Sequence, residues 1–161
     1  MMKQLNEAHV VAVLYDEVRD TPFVLLKVLQ NNACISLPLN PFEASSIIMA
    51  SEALVTPQPR IHDVVVTLLR EQGCTAEFVE LWGSNLSGYY GRLRYRGRLF
   101  HHYLSVGPAD SLVLALRLHI PIFLDNSMVQ SAQNELPDSI AYSSGNNQVL
   151  YLDSSQPVQS I

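Results

Sequence analysis

The spacing of apolar and polar residues divides the first part of the chain into three strands and a helix. The segments "HVVAVLY", "PFVLLKVL" and "ACISLPL" have the composition of β-strands, and "QNN" suits a turn between the last two. In "NPFEASSIIMASEAL" the apolar residues instead recur at helical spacing. Asn40 is a good N-cap for this helix, Pro41 suits its first position, and Glu43 is then its third residue.

A second helix is predicted from about His62 to Gln72. The prolines of "VTPQP" end the first helix, because the residue before a proline is pushed out of helical geometry. Gly73 stands where a glycine commonly ends a helix. The apolar stripe of the second helix would consist of Ile61, Val65, Leu68 and Leu69.

Three further strands are predicted in "TAEFVELWG", "GYYGRLRY" and "GRLFHHYLS". The dipeptide Arg96–Gly97 suits a tight hairpin turn, because glycine accepts the positive φ that such turns need. This turn would place Arg94 opposite Leu99 and Arg92 opposite His101. Both arginines are therefore expected to share one face of the sheet with His101.

The second part of the chain repeats the pattern of the first. The segment "GPADSLVLALRLH" is a third helix, so apolar that it must be buried nearly all round, and "PIFLD" is a short strand. Both "NPFEAS" and "GPADSL" follow three strands, and in each a proline stands two residues before an acid that precedes a small residue. We therefore predict an α+β fold (mixed α/β), made of a duplicated three-strand-plus-helix unit with twisted sheets packed on central helices.

The composition changes after Asp125, which predicts a domain over residues 1–130 and a polar tail over residues 131–161. From Asn126 to Ile161, 17 of 36 residues are Ser, Asn or Gln, and none is Lys or Arg. Such composition disfavours a packed core. The segment "QVLYL" is a candidate for a short strand in the tail.

Composition and charge limit the class of protein. A hydrophobic fraction of 48% with 16% charged residues is typical of a globular chain, and no apolar run approaches the roughly 20 residues of a membrane helix. The N-terminus lacks the pattern of a signal peptide, so we expect a cytoplasmic protein in which Cys34 and Cys74 are reduced and buried. The formal charge of −5 opposes phosphate binding overall, yet four of the ten basic residues lie in "GRLRYRGR".

Four titratable residues lie at predicted helix starts: Glu43, His62, Asp63 and Asp110. A carboxylate there has an ordinary explanation, because it accepts hydrogen bonds from free N–H groups and faces the positive end of the helix dipole. His62 gains nothing from that dipole, and packing or one hydrogen bond is the simple alternative to a catalytic role. His102 has the strand parity of Leu104 and is expected in the core.

Gathered in one cleft, these groups could orient water, move a proton or hold a divalent cation such as Mg or Mn during phosphodiester hydrolysis. Arg92 and Arg94 could then pair with phosphates, or they could simply form a solvated strand face. The aromatic residues interleaved with arginine in "GYYGRLRYRG" are also typical of RNA-binding strands, although the pattern of an RNA-recognition motif is incomplete.

Five motifs in this order resemble the bifunctional nuclease family, small α/β proteins reported to cleave DNA and RNA. The segments "LPLNPFEAS", "PQPRIHD", "YYGRL", "LSVGPADSLVLAL" and "PIFL" correspond to the family's "LPIxIG..EA", "PRPLTHD", "FYAxL", "DxRPSDAIALAL" and "PIFV". The resemblance covers about Val10 to Val129 and implies a homodimer that acts on RNA or DNA. It implies a site lined by Glu43, His62, Asp63 and Asp110, with Arg60, Arg92 and Arg94 as substrate contacts.

The chain also departs from the family pattern. The differing positions are Gln58, Ile61, Ser105, Gly107 and Ala109. Two of them, Gln58 and Gly107, replace arginines that could grip a phosphate bidentately, and Arg60 could substitute for one only in part. The sequence is therefore compatible with a weakened nuclease, with a non-catalytic regulatory or protein-binding module on the same fold, and with a small-ligand-binding protein.

Overall fold

The structure, a computed structural model, describes residues 4–134 and 147–152. Within these ranges the chain forms eight strands and four helices. In chain order they are β1 (Leu5–Asp16), β2 (Thr21–Val28), β3 (Cys34–Pro38), α1 (Pro41–Ser51), α2 (Ile61–Glu71), β4 (Thr75–Ser84), β5 (Gly88–Arg96), β6 (His101–Val106), α3 (Pro108–Leu118), β7 (Ile122–Asp125), α4 (Asn126–Asn134) and β8 (Asn147–Leu152).

The strands join in one mixed sheet whose order, β3-β2-β1-β7-β4-β5-β6, places the two halves of the chain side by side. Strands β1 to β3 form one antiparallel meander and β4 to β6 form the other. Strand β7 lies between them, antiparallel to β1 and parallel to β4, and β8 pairs with the remaining part of β1. Each meander runs into a helix, α1 or α3, which confirms the predicted α+β class and the repeated unit.

The core lies between the sheet and helices α1 and α3. Both helices begin with a proline and carry their acid at the third position. The small residue after each acid, Ala44 in α1 and Ser111 in α3, is buried, and its size lets the helix approach the sheet closely. As predicted, α3 is buried on most sides; its buried residues are Ala109, Ser111, Leu112, Val113, Leu114 and Ala115.

Strand β5 approaches α3 most closely at Gly91. A Cβ atom on Gly91 would collide with Oγ of Ser111 and come within 3.0 Å of the Leu81 side chain and of the Val106 carbonyl oxygen. The Ser111 hydroxyl is itself buried and has no hydrogen-bond partner within residues 4–134 and 147–152. A glycine and a small residue are therefore matched at this contact. Because side chains alternate along a strand, Arg92 points to the opposite face of the sheet.

The hairpin between β5 and β6 differs from the prediction. Its loop holds four residues, Gly97–Phe100, closed by a hydrogen bond from the Gly97 N–H to the Phe100 carbonyl at 2.9 Å. Arg94 therefore lies opposite Tyr103, not Leu99, and Arg92 lies opposite Ser105, not His101. The difference is an even number of residues, so both arginines still share a face with His101.

The prediction that His102 lies in the core is wrong. Strand β6 is at the edge of the sheet, and α3 packs on β4 and β5 instead. His102 is exposed, and its ring stacks on Tyr95 with the centroids 5.2 Å apart. Strand parity alone could not show that a helix fails to cover the last strand.

The apolar stripe predicted for α2 is only half buried. Val65 and Leu69 pack against the core, whereas Ile61 is 69% exposed and Leu68 is 52% exposed. The helix lies at the periphery, against α3 and β4, and none of its residues is fully buried. Gly73, with a φ of 67°, follows its C-cap as predicted.

The C-terminal region contains a helix that the composition did not predict. Helix α4 begins at Asn126 and buries Met128 and Val129 in the core. The predicted strand in "QVLYL" is present as β8. The rest of the predicted tail, residues 135–146 and 153–161, lies outside the described residues, and the domain division remains a prediction.

Both cysteines are free and half-buried, whereas the sequence predicted that they are buried. Burial raises the pKa of the Cys34 thiol, and the nearby charge of Lys27 opposes this only in part. A raised pKa disfavours the reactive thiolate. Within the described part of the chain, no helix has the length and apolar character needed to cross a membrane.

The contact between Gly91 and Ser111 yields a stability prediction. We expect Gly91→Ala to lower the free energy of unfolding by about 1–3 kcal/mol, because the added methyl group overpacks the contact. Ser111→Ala should not lower it, since the mutation removes an unsatisfied buried hydroxyl. Urea denaturation followed by Trp82 fluorescence measures both changes.

The double variant Gly91→Ala/Ser111→Ala is the control for this contact. The corresponding family motifs, "FYAxL" and "DxRPSDAIALAL", carry alanine at both positions. The double variant should therefore recover most of the stability lost in Gly91→Ala. Additive effects of the two substitutions would contradict the proposed contact.

Candidate functional site

The structure brings His62 and Asp110 into direct contact. His62 is the second residue of α2 and Asp110 the third residue of α3, and His62 Nε2 lies 2.8 Å from Asp110 Oδ1. The imidazole is 12% exposed and the carboxylate 55% exposed. Nδ1 of His62 has no hydrogen-bond partner among the described residues. This pair, called the dyad below, holds one ring nitrogen on a carboxylate and leaves the other available.

Asp110 is available to His62 because its helix begins differently from α1. In α1 the Asn40 side chain accepts a hydrogen bond from the Glu43 N–H at 2.9 Å, and Glu43 Oε2 accepts one from the Asn40 N–H at 2.8 Å. This reciprocal pair is a capping box. Helix α3 begins at Gly107, which has no side chain to form the equivalent bond. The equivalent acids of the two halves, Glu43 and Asp110, therefore have different partners.

Asp63 stabilises the start of α2. Its Oδ2 accepts a hydrogen bond from the Arg60 N–H at 3.0 Å, which is the half of a capping box that remains when the N-cap residue has only side-chain donors. Its Oδ1 lies 3.6 Å from Nε of Arg117. The same arginine donates from Nη1 to the Leu54 carbonyl at 2.9 Å, so it ties α3 to the segment that precedes α2.

Arg117 is a site residue that the sequence analysis missed. It lies seven residues after Asp110 in α3, on the same face and about 10 Å further along the axis. The consecutive residues His62 and Asp63 therefore contact two points of one helix, and this fixes the position of α2. A signal was present, because a lone arginine in a helix predicted to be buried nearly all round needs a partner.

The other predicted residues on the helix side are less closely associated with the dyad. Among the described residues, Glu43 makes no hydrogen bond or ion pair with His62, Asp63 or Asp110, and its carboxylate serves the cap of α1. Arg60 is the N-cap residue of α2, and its guanidinium contacts the sulfur of Met49. The capping alternative therefore accounts for the contacts of two of the acids.

Arg92 and Arg94 lie on the other face of the sheet from the dyad. Arg92 donates to Glu80 Oε2 from Nε at 2.8 Å and from Nη2 at 2.6 Å, and Glu80 is buried. Arg94 Nε lies 2.9 Å from Glu77 Oε2. Their charges are balanced by carboxylates, so the predicted single cleft containing both the arginines and the helix starts is not formed.

The described residues do not assemble a metal site of their own. No group of three or more His, Cys, Asp or Glu side chains within residues 4–134 and 147–152 could hold a metal ion. The dyad offers two donor side chains, and the neighbouring carboxylate of Asp63 is engaged by Arg60 and Arg117. A Mg or Mn ion held by protein ligands alone therefore does not fit here.

A pocket of about 350 Å³ lies away from the dyad, between α1, the start of β2 and strands β1 and β8. Its lining is mostly apolar, and no dyad residue contributes to it. The lining residues are Tyr15, Pro22, Pro41, Ala44, Ser45, Ile48, Met49 and Leu150.

Removal of Arg117 tests whether it positions α2. We expect Arg117→Ala to lower the free energy of unfolding by about 1–3 kcal/mol, because the mostly buried guanidinium satisfies the Leu54 carbonyl and faces Asp63. Chemical denaturation measures the loss, and Arg117→Lys should show a smaller one. Arg70→Ala, an exposed arginine of the same chain, is the matched control and should change stability by less than about 0.5 kcal/mol. Equal losses for Arg70 and Arg117 would contradict the assignment.

Comparison with known proteins places the chain in a family. The family model of the bifunctional nuclease domain matches residues 24–137, a range that contains both residues of the dyad. Two uncharacterized proteins from strains of Mycobacterium tuberculosis, MT1877 and Rv1829, are each 22% identical to the chain over 134 residues, which is 83% of this chain and 80% of theirs. Because the family model matches most of its length, the chain belongs to the bifunctional nuclease domain family.

Proposed function

We propose that the chain is a nuclease that cleaves phosphodiester bonds of RNA or DNA, with the dyad as its catalytic centre. The observation that carries this proposal is the 2.8 Å contact between His62 Nε2 and Asp110 Oδ1. A carboxylate on one ring nitrogen orients the imidazole and stabilises its protonated form, which is the arrangement of a general base. Membership of the bifunctional nuclease domain family supports the substrate class.

In the proposed reaction His62 accepts a proton from the attacking hydroxyl. Nε2–H donates to Asp110, so Nδ1 is the nitrogen that carries the free lone pair. A water molecule, or the 2′-hydroxyl of RNA, transfers its proton to Nδ1 as its oxygen attacks phosphorus, and the bond to the leaving oxygen breaks. The imidazolium that forms is stabilised by Asp110. General base catalysis of this kind contributes about 10²–10⁴-fold to a rate.

The helix starts supply part of the phosphate contact in this proposal. The dyad lies where α2 and α3 begin, and free N–H groups at helix N-termini favour anions. We assign Arg60 to the substrate backbone, and Glu43 and Asp63 to supporting the helix starts. Gln58 and Gly107 leave the site without two of the family's arginines, so we expect weak activity. No step passes through a metal ion.

Cleavage of labelled single-stranded RNA and DNA tests the proposal. We expect His62→Ala and Asp110→Asn each to lower kcat at least 100-fold, because both remove the general base or its orientation. The wild-type activity should persist in EDTA and should not require Mn. The control is His102→Ala, which removes an exposed imidazole outside the dyad. Wild-type cleavage no faster than that of His62→Ala would reject the nuclease.

A non-catalytic regulatory or protein-binding role is the second candidate. It is favoured by the exposed apolar stripe of α2, consisting of Ile61, Val64 and Leu68. It is also favoured by the capping contacts of Glu43 and Asp63, which leave only the dyad for chemistry. A folded protein that shows no cleavage and binds a protein partner through this stripe would establish the second candidate.

We also propose that the chain forms a homodimer in the cytoplasm through the α2 stripe. The stripe is apolar and self-complementary in character, as a two-fold interface requires, and its first residue directly precedes His62. A partner seated there would border the dyad and exclude water from it. The free thiols of Cys34 and Cys74 suit the reducing cytoplasm.

Light scattering on the purified protein tests the dimer. We expect a mass of about twice 18.0 kDa for the wild type. Leu68→Glu should yield monomers, because a charge in the centre of an apolar interface is desolvated without a partner. Leu86→Glu is the matched control, since Leu86 is fully exposed in the β4–β5 loop. A monomeric wild type, or a dimer that survives Leu68→Glu, would contradict this interface.

A further inference from the structure

The face of the sheet that α1 and α3 leave uncovered carries aromatic rings and arginines on β4, β5 and β6. Side chains of β5 alternate, so that Gly91 and Leu93 face α3 while their neighbours point away from it. Five side chains of this outer surface, called the aromatic face below, are Trp82, Tyr90, Arg92, Arg94 and Tyr103. None of them contributes to the dyad.

The rings of the aromatic face are held in place and remain accessible. Tyr90 is 50% exposed and Tyr103 is 49% exposed. Trp82 stacks on Tyr90 with centroids 5.9 Å apart and an interplanar angle of 19°. The Arg92 guanidinium lies 4.2 Å from the Tyr103 ring centroid and 5.5 Å from that of Trp82. A planar cation between two rings fixes their orientation before any ligand binds.

The free positive charge lies at one end of this face. Arg92 and Arg94 are paired with Glu80 and Glu77, so they organise the rings more than they attract anions. Arg96 and Arg98, at the β5–β6 loop, are exposed and form no ion pair with any described residue. On a chain with a net charge of −5, these two arginines form a local basic end beside exposed aromatic rings.

The spacing along the strands fits a short extended ligand. Tyr103 lies opposite Arg94, four residues along β5 from Tyr90, so the two tyrosines are about 14 Å apart. Arg96 lies about 7 Å further in the same direction. Nucleotides of an extended single strand are separated by roughly 6 Å, so the face spans about four to six of them, within the range of known single-strand sites.

We propose that the aromatic face binds single-stranded nucleic acid, with bases stacked on Tyr90 and Tyr103 and the backbone following Arg96 and Arg98. This inference rests on the proposed nuclease function and extends it to a second surface, on the other side of the sheet from the dyad. Flat exposed rings beside unpaired arginines are what sequence-tolerant single-strand binding uses. The surface holds a substrate strand independently of the bond that the dyad cleaves.

Fluorescence anisotropy with labelled 12-nucleotide oligouridine and oligodeoxythymidine tests the proposal in the His62→Ala background, which prevents cleavage. Tyr90→Leu and Tyr103→Leu should each raise Kd at least fivefold, because they keep apolar bulk and remove the stacking ring. Tyr90→Phe and Tyr103→Phe should stay within twofold of the unmodified value. Phe42→Ala, an exposed aromatic on α1, is the matched control and should leave Kd unchanged.

Salt dependence tests the role of the two arginines. The double variant Arg96→Gln/Arg98→Gln should reduce the slope of log K against log salt by about 1.4, which corresponds to two phosphate contacts on a single strand. An unchanged slope would overturn the backbone path. Equal binding by RNA and DNA supports stacking as the main contact, whereas binding to RNA alone would contradict it.

The outcomes separate this inference from the nuclease proposal. Binding that depends on Tyr90 and Tyr103 supports the aromatic face even if the wild type cleaves nothing. Cleavage that depends on His62, combined with a Kd that is insensitive to both Tyr→Leu substitutions, would overturn the aromatic face and leave the dyad in place. Absence of measurable binding to either oligonucleotide would also overturn it.

Discussion

The burial of α3 against β4 and β5 is the constraint on which the candidate site depends. Its buried residues occupy most of its circumference, and the glycine of β5 lets it lie directly on the strand. A helix packed this tightly cannot shift or rotate without opening cavities. Asp110 and Arg117 are therefore held at fixed points, and α2, which buries no residue completely, takes its position from them.

The two halves of the chain repeat one unit but have diverged in chemistry. Glu43 closes a capping box with an asparagine, whereas Asp110 follows a glycine and binds an imidazole instead. The meanders differ as well. The second carries the arginine and aromatic side chains of the outer face, with Glu80 buried among them and paired to Arg92. The sheet thus separates a helix-side surface with a proton-transfer pair from an outer surface with rings and basic charge.

Most of the elements could be predicted because each depends on neighbouring residues. Alternation and helical spacing identified the strands and the first three helices, and the capping role of Asn40 follows from its own side chain. The errors occurred where distant parts of the chain decide. His102 is exposed because β6 is an edge strand, and the stripe of α2 is half exposed because only one side of that helix meets the core. Helix α4 was hidden by a polar composition that still supplied Met128 and Val129 to the core.

The sequence by itself determined the periodicity of the elements, the repeat, the family and the kinds of side chain at the helix starts, since these depend on local spacing and residue type. Only the tertiary structure decided which of those side chains meet. It joined His62 to Asp110 across 48 positions of the chain, and it placed Arg92 and Arg94 on the other face of the sheet. Contacts of this kind depend on how buried surfaces fit together in three dimensions, and no local pattern encodes that fit.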